Sequence, residues 1–192
     1  PMTHQHETVY LISNGDFRDT AAEQCWPMQA QTIAAVTACF DQLGIPTRVL
    51  PEYDADKKHG FVTRQSKGVE IFAAIEPEAP VVIVLSCWAY SHHVASGLQT
   101  HKGPILLMAN FDGTWPGLVG MLNHAATLER LCVNHSRIWS QSFGDDADFM
   151  DRLNTWCESG KIAYDTSHLI TADEQHLSEQ ALTFGEALST DI

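Results

Sequence analysis

Two apolar runs dominate the hydrophobic pattern of the chain, Val81 to Leu85 (VVIVL) and Ile105 to Ala109 (ILLMA). Neither alternates with polar residues, and a strand covered by helices on both faces reads as just such a continuous run. Each opens behind a proline, Pro80 or Pro104, where proline begins a strand without removing a ladder hydrogen bond. Each stops abruptly at polar, aromatic and glycine residues. Ser86-Cys87-Trp88-Ala89-Tyr90 follows the first, and Asn110-Phe111-Asp112-Gly113-Thr114-Trp115-Pro116-Gly117 follows the second. Loops that leave the carboxyl ends of parallel strands share one sheet edge, where open α/β sheets bind ligands. The pattern therefore directs both loops to one site.

Thr8 to Ser13 reads as the first strand, ended by the turn signal Asn14-Gly15-Asp16. Thr20 to Glu23 has capping-box spacing, but Pro27 lies seven residues into any helix begun there. Either a short first turn is kinked or the main helix starts near Pro27. Ile33, Val36, Phe40 and Leu43 then mark a buried helical face, and Gly44 stands where the helix closes. Pro46 to Leu50 is the second strand of a right-handed βαβ unit. Residues 51–66 read as a polar, mobile connection. Val69, Phe72, Ala73 and Ile75 form a short helix that Pro77 and Pro80 end.

The second half repeats the rhythm. Ser91 to Thr100 is a brief helix, and Thr114 caps another with Pro116 in its first turn. That helix buries Leu118, Met121, Leu122, Ala125, Leu128 and Leu131. Ser136 to Ser142 is a fifth strand, and Phe149, Leu153, Trp156 and Cys157 share a face of the helix behind it. The expected fold is α/β, a three-layer sandwich around an open, mainly parallel sheet of about five strands, flavodoxin- or Rossmann-like, over residues 8–160. Residues 1–7 read as a disordered start with a tag remnant, since Pro1 precedes Met2. Residues 161–192 carry a weak helical pattern in Leu177, Ala181, Phe184 and Leu188, expected to be a C-terminal helical segment or a linker toward a further domain.

Composition narrows the partners. The 192 residues carry 24 acidic and 11 basic side chains, a net charge of −13, which disfavours nucleic acid and anionic membrane as partners. No apolar run approaches the roughly 20 residues of a membrane span, and the first residues lack signal-peptide order, so a cytoplasmic protein is expected. Five widely spread cysteines without a Cys-x-x-Cys pair read as reduced thiols. Among ten histidines, His92-His93 is the most tempting metal pair, but adjacent helical residues point about 100° apart. Solvent-facing imidazoles at a helix start are the expectation, and no metal is expected to bind this chain.

The loops after the first, third and fourth strands bring to one edge a guanidinium (Arg18), two indoles (Trp88, Trp115), a phenol (Tyr90) and a carboxylate (Asp112). Aromatic faces stack on the apolar patches of sugar rings, while Arg and Asp bond to hydroxyl groups. Taken singly, each aromatic serves as well to seal the sheet edge, and Arg18 to pair with a surface acid; their coincidence favours a binding site. Gly15 is followed by no Gly-x-x-Gly, there is no glycine-rich phosphate loop with lysine, and no Gly-x-Ser-x-Gly elbow occurs. The third strand ends in Ser86-Cys87-Trp88 rather than the aspartate of a phosphoacceptor domain.

Gly15-Asp16-Phe17-Arg18 with Glu23-Gln24, then Cys87-Trp88-Ala89-Tyr90, then Asn110 to Gly117, in this order, resembles the amino-terminal region of the L-fucose isomerase and L-arabinose isomerase superfamily, closest to the fucose isomerase side, over roughly residues 8–150. The resemblance implies aldose–ketose interconversion in which manganese polarises the sugar oxygens and carboxylates move the proton. It also implies metal ligands in later domains and a hexamer, in which this domain helps close a neighbouring subunit's site. By matching position, the aromatic that reaches the sugar is Trp88 and the arginine is Arg18. The isolated chain is then expected to be inactive. The alternatives are a free-standing carbohydrate-binding or regulatory module of the same fold, and a domain that serves chiefly as an oligomer contact.

Overall fold

The computed structural model describes residues 8–167. Five parallel strands, β1 (Val9–Ser13), β2 (Thr47–Leu50), β3 (Val81–Leu85), β4 (Ile105–Asn110) and β5 (Ser136–Ser140), form one sheet in the order β2-β1-β3-β4-β5. The helices between and after them are α1 (Asp19–Gln42), α2 (Gln65–Ala74), α3 (His92–Thr100), α4 (Gly117–Arg130) and α5 (Ala147–Ser159). Alternate strand residues point to opposite faces, and each face has its own core. Leu11, Val82, Val84, Leu106 and Met108 pack under α1 and α5 with Val36, Phe40, Phe149, Leu153 and Trp156. Ile12, Ile83, Leu85, Leu107 and Ala109 pack under α2, α3 and α4 with Ile71, Val94, Leu98, Met121 and Leu128. The fold is the expected three-layer α/β sandwich. Its strand order reverses direction between β1 and β3, and beyond the carboxyl ends at such a switch point open α/β sheets bind ligands.

Several local expectations are corrected. The first helix begins at Asp19 with Arg18 as its N-cap, so Thr20 lies inside it and Pro27 is an interior residue. Pro27 faces solvent, where water can bond the carbonyl group it leaves without a donor. The fourth helix starts at Gly117 behind Pro116, and Thr114 bonds to Asp112 instead of capping it. On that helix Leu122 is exposed, because the buried stripe runs through Gly120, Met121, His124, Ala125 and Leu128. On α2, Val69 is exposed while Gly68 and Ile71 face inward.

Residues 51–66 are anchored at two places. The Asp54 amide donates to the His59 carbonyl in a short antiparallel bridge (3.1 Å), and Val62 lies parallel to Asn14, donating to the Ser13 carbonyl (2.8 Å) and accepting from the Gly15 amide (3.2 Å). Buried Phe61 and Val62 supply the apolar anchor that the polar composition of the segment obscures. The chain splits into two compact units after Ile162. The helical pattern at Leu177, Ala181, Phe184 and Leu188 lies outside the described residues. Among those residues no helix is long and apolar enough to cross a membrane.

Gly68 marks where α2 meets α3, since a Cβ there would strike the His93 carbonyl oxygen. Gly68→Ala is therefore expected to destabilise the protein by about 1–3 kcal/mol in urea titration, although alanine in an unconstrained helix is favoured by about 1 kcal/mol. A neutral or stabilising result would mean that the two helices are not in this contact.

Candidate functional site

The site begins with the stems of two loops. Gln29 on α1 is fully buried and reaches across the ends of β1 and β3. Its Nε2 donates to the Val84 carbonyl (2.8 Å) and to Ser13 Oγ (3.2 Å), and its Oε1 accepts from the Ser86 amide (3.1 Å). Beyond the stems the loops are stitched together directly. Asn14 Nδ2 donates to the Tyr90 carbonyl (2.9 Å), and the Tyr90 amide donates to the Gly15 carbonyl (3.3 Å). Residues that are remote in sequence are thereby held against each other at the switch point.

Phe17, Arg18, Trp88 and Tyr90 form the rim. Phe17 is 56% exposed and Trp88 36%, so neither ring lies in the interior. The Phe17 and Tyr90 ring centres are 5.2 Å apart, and Trp88 meets Tyr90 edge-on at 5.8 Å. The Arg18 guanidinium lies 5.8 Å from the Phe17 ring centre, within cation–π range. It also grips Asp16 in a fork, with Nε donating to Oδ1 (2.9 Å) and Nη2 to Oδ2 (2.6 Å), while the Arg18 amide adds a bond to Oδ1 (2.9 Å). Asp16 is only 4% exposed, and the bonds from Arg18 hold its carboxyl below the usual carboxylate range. The carboxylate in turn raises the Arg18 pKa. Arg18 is largely exposed, so the pair contributes more to aiming the guanidinium than to stability.

The remaining two predicted residues sit apart from this ring group. Trp115 is half-buried against the cluster of Ala22, Phe61 and Cys87, beside Cys25 and Trp26. It borders the rim through Cys87 rather than through ring contact. Asp112 Oδ1 accepts from the Thr114 amide (2.8 Å) and hydroxyl (2.7 Å), which shapes its own loop and lowers its pKa. Both loops still press together. A Cβ on Gly117 would lie 2.6 Å from the Asn110 carbonyl oxygen, and one on Gly120 would lie 2.7 Å from that of Cys87.

Beneath the rim lies a buried polar layer that sequence reasoning missed. His124 Nδ1 donates to the Gly120 carbonyl (2.7 Å), so in the neutral ring Nε2 accepts from Asn14 Nδ2 (2.7 Å). Burial pushes the His124 pKa down to about 4. His93, expected in solvent, is 2% exposed, and burial together with the neighbouring His92 ring lowers its pKa. Asn14 Oδ1, His93 Nδ1 and Ser86 Oγ are buried without a protein partner. Helical phase carried a usable signal, because His93 shares a face with Val94, Gly97 and Leu98, and His124 with Gly117, Gly120, Met121 and Leu128. No group of three or more His, Cys, Asp or Glu among the described residues is arranged to hold a metal ion. No family model matches the chain, and no curated protein matches it.

The buried histidine makes stability depend on pH. Because the folded pKa of His124 lies below its ordinary 6.5, the contribution is complete above pH 6.5 and declines as pH falls toward about 4. At about 1.4 kcal/mol per pH unit, that is a loss on the order of 3 kcal/mol. Urea titrations across this range should show it, and His124→Gln should flatten the dependence. An imidazole that titrates near 6.5 by NMR would contradict the assignment.

Proposed function

We propose that the rim at the switch point binds a sugar. In this reading the chain is the amino-terminal domain of an aldose–ketose isomerase resembling L-fucose isomerase. One observation carries the reading: Phe17 of the loop after β1 meets Tyr90 of the loop after β3, with Arg18 against Phe17 and Trp88 against Tyr90. Exposed ring faces suit the apolar patches of a sugar, and an arginine aimed by a buried carboxylate suits its hydroxyl groups.

The same residues suit binding and closure of a site rather than the proton transfer. Asp16 is ionised and engaged by Arg18 through both oxygens, and His93 and His124 are neutral beneath the surface. The manganese that the resemblance implies does not fit this rim. That ion favours several oxygen ligands, and among the described residues no group of three candidate ligands is arranged to hold one. Isomerisation in this reading draws its metal and carboxylates from outside these residues. The exposed rings then serve the site of a neighbouring copy in a homo-oligomer. The second reading, a free-standing carbohydrate-binding or regulatory module, is favoured by the rim being assembled within a single copy of the fold.

Titration of the chain with L-fucose and L-arabinose, followed by NMR and indole fluorescence, tests both readings. Shifts confined to Phe17, Trp88 and Tyr90 that do not saturate below roughly 10 mM, and that vanish in Trp88→Ala, are the expected result. Saturation at micromolar to low millimolar sugar would favour the self-sufficient module. No shift at the rim at roughly 100 mM sugar would overturn sugar binding in either form. Turnover by the chain with manganese, lost in Trp88→Ala, would overturn the assignment of the chemistry to other residues.

A further inference from the structure

A second feature lies at the same sheet edge, on the far side of β1. Residues 57–67, KKHGFVTRQSK, hold four of the 11 lysines and arginines and none of the 24 acids, in a chain of net charge −13. They fold into one wall of a cleft of about 450 Å³, lined by Lys57, His59, Arg64, Ser66 and Lys67 among others. The amino end of α2 opens there. Its N-cap is Arg64, whose side chain makes no capping bond, and its first turn holds no acid. The amide groups of that turn are donors without a helical acceptor.

His59 is the independent sign of a ligand. It is 2% exposed, and its Nδ1 accepts from the Phe61 amide (3.2 Å). In the neutral ring the proton therefore sits on Nε2, and burial lowers the pKa, which favours that neutral form. Nε2 is buried without a protein partner, on a residue that lines the cleft. An unmatched buried donor is costly unless an acceptor reaches it.

The hydrogen-bond donors sharpen the chemistry. Glu52, Asp54 and Glu70 also line the cleft, and Asp54 pairs with Lys57 (3.3 Å) and Glu70 with Lys67 (3.2 Å). Arg64 makes no ion pair among the described residues. Beside the Glu52 carboxylate, which neither lysine pairs with, the hydrogen-bond donors left over are the Arg64 guanidinium, one imidazole N–H, the amides of the first turn of α2 and the Ser66 hydroxyl. That is more donors than a carboxylate can accept from, and it suits the three terminal oxygens of a phosphate ester. We infer that the cleft between the end of β2 and the start of α2 binds the phosphate group of a small phosphomonoester. The inference rests on residues separate from the sugar-binding rim.

Amide and imidazole NMR of the whole chain, titrated at constant ionic strength with inorganic phosphate and with glycerol 3-phosphate, tests it. The expected result is saturable shifts at Gln65, Ser66, Lys67 and the His59 ring, with affinity reduced about tenfold in His59→Phe and in Arg64→Gln. Arg64 is exposed, so its variant keeps the fold and the test interpretable should His59→Phe unfold. Tighter binding of the ester would assign the organic group to the cleft, and equal binding would support a site for the phosphate group alone. Failure to saturate by roughly 20 mM ligand, or undiminished affinity in folded Arg64→Gln, would overturn the site.

Discussion

Where β1 and β3 run out of ladder partners, a single buried amide takes their place. Gln29 reaches from α1 to satisfy the Val84 carbonyl, the Ser13 hydroxyl and the Ser86 amide, groups that burial would otherwise leave costly. The two loops leave from stems fixed in this way, and everything proposed for the rim depends on it. On the other flank of β1, Val62 extends the pairing past the end of β2, so the last residues of β1 and the loop after them are bonded on both sides.

Electrostatics separates the layers of the site. At the surface, Arg18 and Asp16 form a charged fork beside exposed rings. One layer down, His93 and His124 are held neutral by burial, and Asn14 links His124 to the β3 loop through both hydrogens of its amide. A polar layer of this kind fixes loop geometry, because each bond satisfied there has no solvent substitute. The acidic surface of the chain makes its basic stretch, residues 57–67, stand out as a local exception.

Legibility differed between the rim and the layer below. Trp88, Tyr90 and Arg18 were readable because they lie in loops that follow strands, and strand ends of parallel sheets share an edge. Trp115 and Asp112 leave the same edge but turn to other partners, the Cys87 cluster and Thr114. Side-chain commitments of that kind follow from neighbours, and loop spacing does not encode them. His93 was misread because the adjacent pair His92-His93 looked like a polar helix start, although helical phase sends only one of the two to solvent.

By itself the sequence determined the layers. Runs apolar on every residue must be strands buried on both faces, and helical stripes of three- and four-residue spacing must cover them, because no other arrangement removes that surface from water. Only the tertiary structure decided which strand lies beside which, that Val62 takes a place next to Asn14, that α1 runs through Pro27, and that His59 keeps a donor without an acceptor. Those features arise from contacts between residues far apart in the chain, whose pairing depends on strand order and helix packing. Hydrophobic periodicity is a local property and carries no record of either.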